Sequence, residues 1–122
     1  MKTVMVVDDS RIMRNIVKKT FEQLNIPVQF LEASDGSQAL QALTANKIDL
    51  VLLDWNIPRL SGIDLLKKVR SMDAYRNIPI VMVTSESSNL NIVEAVKAGA
   101  TAYITKPFTE KTFLEKISKI AF

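Results

Sequence analysis

The chain has 122 residues, 48% of them hydrophobic, which is enough for one globular domain with a core and too few for two domains. It has no cysteine and no histidine, so disulfide frameworks, thiolate chemistry, His-ligated zinc and Ser-His-Asp catalysis are excluded. The net charge of +3 comes from lysines and arginines at helical spacing beside apolar residues, which is typical of solvated helix faces and argues against a nucleic-acid partner.

The first predicted element is a strand over Val4–Val7, an apolar run that leads directly into Asp8 and Asp9. Such a run is typical of a strand buried on both faces. A helix N-cap would explain one aspartate, but adjacent carboxylates repel each other and are costly to desolvate, so the second needs another reason. A helix follows, with Met13 predicted at its surface or in contact with a loop. Six residues are predicted on its buried face: Ile12, Ile16, Val17, Thr20, Phe21 and Leu24.

The same alternation continues along the rest of the chain. Four more apolar runs are predicted as strands: Val28–Leu31, Leu50–Leu53, Ile80–Val83 and Ala102–Ile104. The apolar residues predicted on the buried faces of four more helices are Ala39, Leu40 and Leu43, then Leu65, Leu66 and Val69, then Ile92, Val93 and Val96, and finally Phe113, Leu114, Ile117 and Ile120. Gly99 is predicted to end the fourth helix. This alternation indicates an α/β fold with a parallel sheet covered on both faces, and no apolar run is long enough to span a membrane.

Polar residues follow the predicted strands. They are Asp8 and Asp9, Glu32 to Ser34, Asp54, Thr84 and Ser85, and Lys106. Because parallel strands bring their carboxyl ends to one edge of the sheet, where such folds bind ligands, we expect a cluster of acids, a hydroxyl and a lysine there. Carboxylates gathered in one cleft need a cation or must protonate, and hard oxygen ligands suit Mg²⁺.

Four stretches, VMVVDDS, LVLLDWNIPRLSG, PIVMVTSE and AYITKPF, together resemble the receiver domain of two-component response regulators. The resemblance extends over essentially the whole chain, and it is strongest to stand-alone chemotaxis receivers of the CheY type, given the DWN motif, Tyr103 and the KPFT run. It implies a flavodoxin-like, doubly wound fold whose parallel five-stranded sheet has the order 2-1-3-4-5. It also implies that residues 1–122 form one receiver domain with no output domain.

The resemblance assigns the chemistry to particular residues. Asp54 is expected to accept a phosphoryl group from a kinase phosphohistidine, with its carboxylate acting as the nucleophile. Lys106 and Thr84 are expected to contact the phosphoryl oxygens. The expected ligands of Mg²⁺ are the carboxylates of Asp9 and Asp54, the carboxylate of Asp8 either directly or through a water molecule, and the main-chain carbonyl of Asn56. The chain is thus expected to be a signalling phosphoacceptor that needs no histidine of its own, and not a conventional enzyme.

The resemblance also implies a route from the site to a partner. Thr84 is expected to move toward the phosphoryl group, and Tyr103 is expected to turn inward in response. The expected partner face comprises Ile92, Val96, Tyr103, Lys116 and Lys119. The partners it implies are a CheA-type histidine kinase and a flagellar motor switch protein or another output protein, and a phosphatase is left open. We expect a cytoplasmic monomer that engages neither membrane nor nucleic acid.

Three other interpretations were weighed against this one. A haloacid-dehalogenase-like phosphatase has an Asp-x-Asp motif after its first strand, whereas Asp8 and Asp9 are adjacent. A flavodoxin-like electron carrier needs a loop rich in Ser, Thr and Gly for the FMN phosphate, whereas this chain has the acidic run DDSR. A receiver that serves only as a phosphate sink shares all of the site residues, so the sequence leaves that alternative open.

Overall fold

The computed structural model describes residues 1–122 and alternates strands with helices along the whole chain. The strands are β1 (Lys2–Val7), β2 (Val28–Ala33), β3 (Leu50–Leu53), β4 (Ile80–Thr84) and β5 (Ala102–Thr105). The helices are α1 (Arg11–Glu22), α2 (Gly36–Ala45), α3 (Gly62–Arg70), α4 (Asn89–Ala98) and α5 (Glu110–Ser118). Every predicted strand and helix is confirmed, and all strands but β3 are slightly longer than predicted. All of the helices are too short or too polar to traverse a lipid bilayer.

The sheet is parallel throughout, and its spatial order is β2-β1-β3-β4-β5. This order confirms the flavodoxin-like fold that the resemblance implied. The direction of winding reverses between β1 and β3, and Val7 pairs with Leu53 in that ladder, so the two strands end side by side. The residues that follow them, Asp8 and Asp54, therefore meet at the point where open α/β sheets bind their ligands.

Side-chain caps begin all of the α-helices. Each capping oxygen accepts a hydrogen bond from the main-chain N–H three residues later, and the caps are Ser10, Asp35, Ser61, Ser88 and Thr109. Such bonds satisfy donors that the helix itself leaves unpaired. Because Ser10 caps α1, neither Asp8 nor Asp9 is needed as a cap. Gly99 ends α4 as predicted, with a φ of 108° that glycine adopts without steric cost.

Two apolar layers cover the sheet, one on each face. Val4 and Val6 of β1 face α1 and α5, where Phe21 and Phe113 are completely buried. Met5 and Val7 point to the opposite face and pack in the layer that α2, α3 and α4 complete. This alternation along β1 follows from the two-residue period of a strand, and it explains why a sheet with helices on both sides requires continuous apolar runs.

The buried faces predicted for α1 and α4 are partly wrong. On α1, Ile12 is 74% exposed and Ile16 is 43% exposed, while Met13, predicted at the surface, packs against the core with Val17. On α4 the fully buried residue is Ala95, and Val96 is 58% exposed. The spacing of apolar residues thus predicted both helices, but the rotation of each helix about its axis is decided by packing against the sheet.

Candidate functional site

Asp8 and Asp54 lie side by side at the carboxyl edge of the sheet and are only 4% and 6% exposed. The main chain holds both of them, since Asp8 N–H donates to Ala33 O at 3.1 Å and Asp54 N–H donates to Val7 O at 3.0 Å. Each carboxylate also accepts a local main-chain bond, Asp8 Oδ1 from Ser10 N–H at 2.9 Å and Asp54 Oδ1 from Asn56 N–H at 3.2 Å. Both side chains are therefore fixed before any ligand arrives.

Lys106 joins the two buried carboxylates. Its Nζ lies 2.6 Å from Asp8 Oδ2 and 3.0 Å from Asp54 Oδ2, and its main-chain N–H donates to Thr84 O at 2.8 Å. Burial acts to lower the pKa of Lys106, but the hydrogen bonds that its Nζ donates to Asp8 and Asp54, together with the charges of these carboxylates, outweigh burial and raise that pKa above the ordinary lysine value. The lysine expected at this edge of the sheet is therefore found there, and the structure adds that its ammonium group contacts both buried acids.

Asp9 is the third acid of the cluster. It is exposed, yet one carboxylate oxygen from each of Asp8, Asp9 and Asp54 lies within 4.8 Å of the others. Burial raises the pKa of Asp8, against the hydrogen bonds from Lys106 and from Ser10 N–H. Three carboxylates facing one lysine leave an excess of negative charge in the cleft, which a cation relieves. The predicted grouping of these acids at one edge of the sheet is observed.

The donor set fits a divalent ion of the hard type. All of the converging ligand atoms are carboxylate oxygens, which Mg²⁺ and Ca²⁺ prefer over the nitrogen and sulfur ligands of zinc sites. Asn56 belongs to the same loop, with its main-chain N–H bonded to Asp54 and its side-chain Nδ2 donating to Glu86 Oε1 at 3.0 Å. Asn56 is thus held beside Asp54 through its main chain and beside Glu86 through its side chain.

Thr84 and Tyr103 are linked through Glu86. Thr84 is fully buried, and its Oγ1 accepts from Glu86 N–H at 3.3 Å. The Tyr103 ring is turned inward with 7% of the residue exposed, and its hydroxyl donates to the main-chain oxygen of Glu86. Burial raises the pKa of Tyr103, and the Glu86 carboxylate adds to that rise. The two predicted switch residues therefore contact successive parts of one short loop.

The predicted partner residues occupy α4, β5 and α5. Tyr103, Lys116 and Lys119 line a common groove beside the open edge of β5, and Lys116 Nζ donates to Tyr103 O at 2.6 Å. Val96 is exposed on α4, whereas Ile92 is half-buried against the core. Three of the five predicted residues, Val96, Lys116 and Lys119, are exposed, whereas Tyr103 is buried and Ile92 contributes mostly to packing. That these residues form a partner face stays a prediction.

Glu32 does not lie at the carboxyl rim of the sheet, contrary to the prediction from strand ends. It lies within β2, and its carboxylate pairs with Arg14 and Lys18 of α1, both at 2.9 Å. Arg14 also donates from Nη1 to Asp8 O at 2.6 Å. The sequence shows that Arg14 and Lys18 share one helix face, four residues apart, but nothing in it pairs that face with β2 or with the acidic turn.

Comparison with known proteins agrees with this geometry. A family model described as "Response regulator receiver domain" matches residues 4–118. The chain is 43% identical to the chemotaxis protein CheY1 of Helicobacter pylori over 118 residues, which cover 96% of this chain and 94% of that protein. It is 40% identical to the chemotaxis protein CheY of Pseudomonas aeruginosa over 117 residues, with the same coverage.

A solved structure of a related protein has the same fold. The chemotaxis response regulator CheY4 of Vibrio cholerae superposes with a TM-score of 0.87 at 32% identity, and the match covers 99% of both chains. The likeness therefore extends over the sheet, all of the helices and the acidic edge. The chain belongs to the response regulator receiver family, and it is CheY-like over almost its whole length.

Proposed function

We propose that this protein is the phosphoacceptor of a chemotaxis two-component system, in which Asp54 takes a phosphoryl group from the phosphohistidine of a CheA-type kinase. The observation that carries the proposal is the placement of Asp54, a buried carboxylate bonded to Lys106 and grouped with Asp8 and Asp9. The family match supports a kinase as the donor, and the similar CheY proteins support chemotaxis as the process.

The roles of the side chains follow from where their charges lie. In the transfer, the phosphorus–nitrogen bond of the donor breaks and a bond forms from phosphorus to a carboxylate oxygen of Asp54, while the donor imidazole retains the electron pair. Lys106, 3.0 Å from Asp54 Oδ2, is placed to neutralise the phosphoryl oxygens, and Thr84 supplies a hydroxyl donor. Such transfers depend mainly on positioning and on charge stabilisation.

Mg²⁺ is the proposed cofactor. Asp8, Asp9 and Asp54 would hold it together with the main-chain carbonyl of Asn56, since these are oxygen donors of the kind that this ion prefers. When bound, the ion neutralises charge on the phosphoryl oxygens that Lys106 alone leaves uncompensated. The chain's own contribution is the fixed arrangement of carboxylates described above.

The proposed output is a change in affinity at the face formed by Val96, Tyr103, Lys116 and Lys119, with Ile92 behind it. The proposed partner is the flagellar motor switch, and the lysines of the groove suit an acidic or amphipathic segment. The proposed working unit is a cytoplasmic monomer in which residues 1–122 form the receiver domain, and the proposed output is docking of a partner on the face described above. A phosphatase acting on Asp54 is compatible with this scheme.

A phosphate sink remains the second candidate, because it needs the same acceptor site and no output partner. The exposed apolar residues of α4, Leu90 at 84%, Val93 at 48% and Val96 at 58%, favour an output partner, since apolar side chains grouped on one helix surface are typical of interaction sites. Binding of a motor-switch peptide that tightens on phosphorylation would support the first candidate, and its absence would support the sink.

The assignment of Asp54 is tested by incubating the protein with Mg²⁺ and a small acyl phosphate and mapping the adduct by mass spectrometry. Wild-type protein is expected to gain one phosphoryl group on Asp54, and Asp54→Asn is expected to gain none at a comparable rate, because asparagine has no carboxylate to attack phosphorus. Asp35→Asn serves as a control, since Asp35 is also buried but caps α2. A wild-type phosphorylation rate in Asp54→Asn would overturn the assignment.

A further inference from the structure

We infer that Arg14 is a positioning residue for the acidic site, and that its guanidinium fixes the peptide between Asp8 and Asp9 so that both carboxylates are preset for a divalent cation. The inference rests on the metal role given to these acids in the proposed function. It extends that role to a residue outside the cluster, on the first helix, which contacts neither the acceptor nor the phosphoryl group.

The contacts of Arg14 use the forked shape of its guanidinium. Nη1 donates to Asp8 O at 2.6 Å, and Nε donates to Glu32 Oε1 at 2.9 Å, with the side chain only 14% exposed. One planar group thus joins α1, β2 and the turn that follows β1. A lysine carries the same charge but cannot present two fixed donors at this angle.

Asp9 is the acid that depends most on this contact. The Asp8 carboxylate is held directly by Ser10 N–H and by Lys106. Asp9, in contrast, is exposed and takes part in none of the salt bridges of the molecule. Its carboxylate is therefore placed by its backbone alone, and the peptide that precedes its Cα is the one whose carbonyl Arg14 holds.

Glu32 offsets the positive charge of Arg14, which lies beside the proposed metal site. An unpaired guanidinium next to the acidic turn would oppose a second cation, but Glu32 pairs with both Arg14 and Lys18. Hydrogen bonds from Lys18 and then from Arg14 lower the pKa of Glu32, so it carries its negative charge at neutral pH. Glu32 thereby both aims the guanidinium and offsets its charge.

Two variants with the same change of charge separate positioning from electrostatics. Arg14→Gln and Lys18→Gln each remove one positive charge from Glu32, but only Arg14 reaches the Asp8 carbonyl. Arg14→Lys keeps the charge and removes the fork. Mg²⁺ is titrated into each purified protein and followed by the fluorescence of Trp55, the only tryptophan, which directly follows Asp54. The melting temperature without Mg²⁺ is measured in parallel.

Both Arg14 variants are expected to bind Mg²⁺ about 10-fold more weakly than wild type, the lower end of the effect seen for groups that orient metal ligands. Lys18→Gln is expected to stay within about threefold, the scale of an exposed ion pair. Wild-type affinity in both Arg14 variants, with or without a lower melting temperature, would overturn the inference by reducing Arg14 to a structural role. An equal loss in Lys18→Gln would overturn it in favour of charge alone.

The same titration distinguishes this inference from the proposed function. If wild-type protein does not bind Mg²⁺ at all, the metal role of the acids fails, and the positioning role fails with it. If wild type binds Mg²⁺ and is phosphorylated on Asp54 while the Arg14 variants bind equally well, the proposed function stands and only the positioning role is lost. Arg14→Lys retains a positive charge and an aliphatic stem, so the inference does not depend on Arg14→Gln folding.

Discussion

The two aspartates that follow β1 differ in their burial and in their contacts, and this difference explains why the chain has both. Asp8 is buried and paired with Lys106, so part of the cost of its burial is offset by the salt bridge. Asp9 is exposed and unpaired, and Ser10 serves as the N-cap of α1. Asp9 therefore makes no salt bridge and caps no helix in the chain alone, which agrees with the cation-binding role proposed for it.

Replacing Asp9 should consequently separate metal binding from stability. We expect Asp9→Ala to lose most Mg²⁺ binding and to leave the free energy of unfolding without Mg²⁺ unchanged or higher by up to about 1 kcal/mol, because repulsion from Asp8 and Asp54 is relieved at an exposed position. Urea denaturation without Mg²⁺ and a Mg²⁺ titration measure the two quantities. A fall of about 1 kcal/mol or more without Mg²⁺ would instead indicate a capping role for Asp9.

At the scale of elements, the rotation of each helix decides which of its apolar residues are core. α1 places Val17 and Phe21 on the sheet and leaves Ile12 exposed, although all three were predicted to be buried together. The side of α1 that carries Arg14 and Lys18 then faces Glu32 of β2. Packing of the helix thereby brings Arg14 to the acidic turn.

The rotation of α1 can be checked by stability measurements on two variants of the same helix. Phe21→Ala is expected to reduce the free energy of unfolding by about 3–5 kcal/mol, because the ring is completely buried and its removal leaves a cavity. Ile12→Ala, at a position that is 74% exposed, is expected to change it by no more than about 0.5 kcal/mol. Urea denaturation measures the free energy of unfolding of both variants, and similar decreases in the two would contradict the observed rotation of α1.

At the scale of the whole molecule, a continuous set of contacts connects the acceptor edge to the proposed partner face. Asn56, two residues after Asp54, donates to the Glu86 carboxylate, and the main-chain oxygen of Glu86 accepts from Tyr103. The main-chain oxygen of Tyr103 in turn accepts from Lys116 of α5. A change at Asp54 can thus reach the groove through short steps with no large movement of the sheet.

This connection predicts coupling between phosphorylation and partner binding. We expect phosphorylated wild type to bind a motor-switch peptide roughly 5- to 150-fold more tightly than unphosphorylated protein, which corresponds to about 1–3 kcal/mol. Thr84→Ala and Tyr103→Ala should reduce that ratio, because each removes a group that contacts the Glu86 loop. Fluorescence titration of a labelled peptide measures the ratio.

Tyr103→Phe is the matched control, since it retains the ring and loses only the hydroxyl bonded to Glu86. An intermediate ratio in Tyr103→Phe would show that the hydroxyl carries part of the coupling. Equal affinity of wild type in both states would contradict the switch altogether. An undiminished ratio in both alanine variants would keep a switch but remove Thr84 and Tyr103 from it.

The sequence alone determined the parts of this protein that depend on local pattern. Apolar runs defined the strands, helical spacing defined the helices, and Gly99 marked the end of α4. The acids after β1 and β3 could be grouped in advance, because parallel strands place their carboxyl ends at one edge. The order of the strands came from family resemblance, since alternation of strands and helices is compatible with more than one order.

Only the tertiary structure decided which contacts hold that edge in place. The double contact of Lys106 with Asp8 and Asp54, the link from Glu86 to Tyr103, and the pairing of Arg14 with Glu32 all join residues distant in sequence. Such contacts depend on the rotation of each helix and on the exact register of neighbouring strands, which a local pattern of apolar residues does not encode. For that reason the acids of the site were predictable from the sequence, whereas the groups that orient them were not.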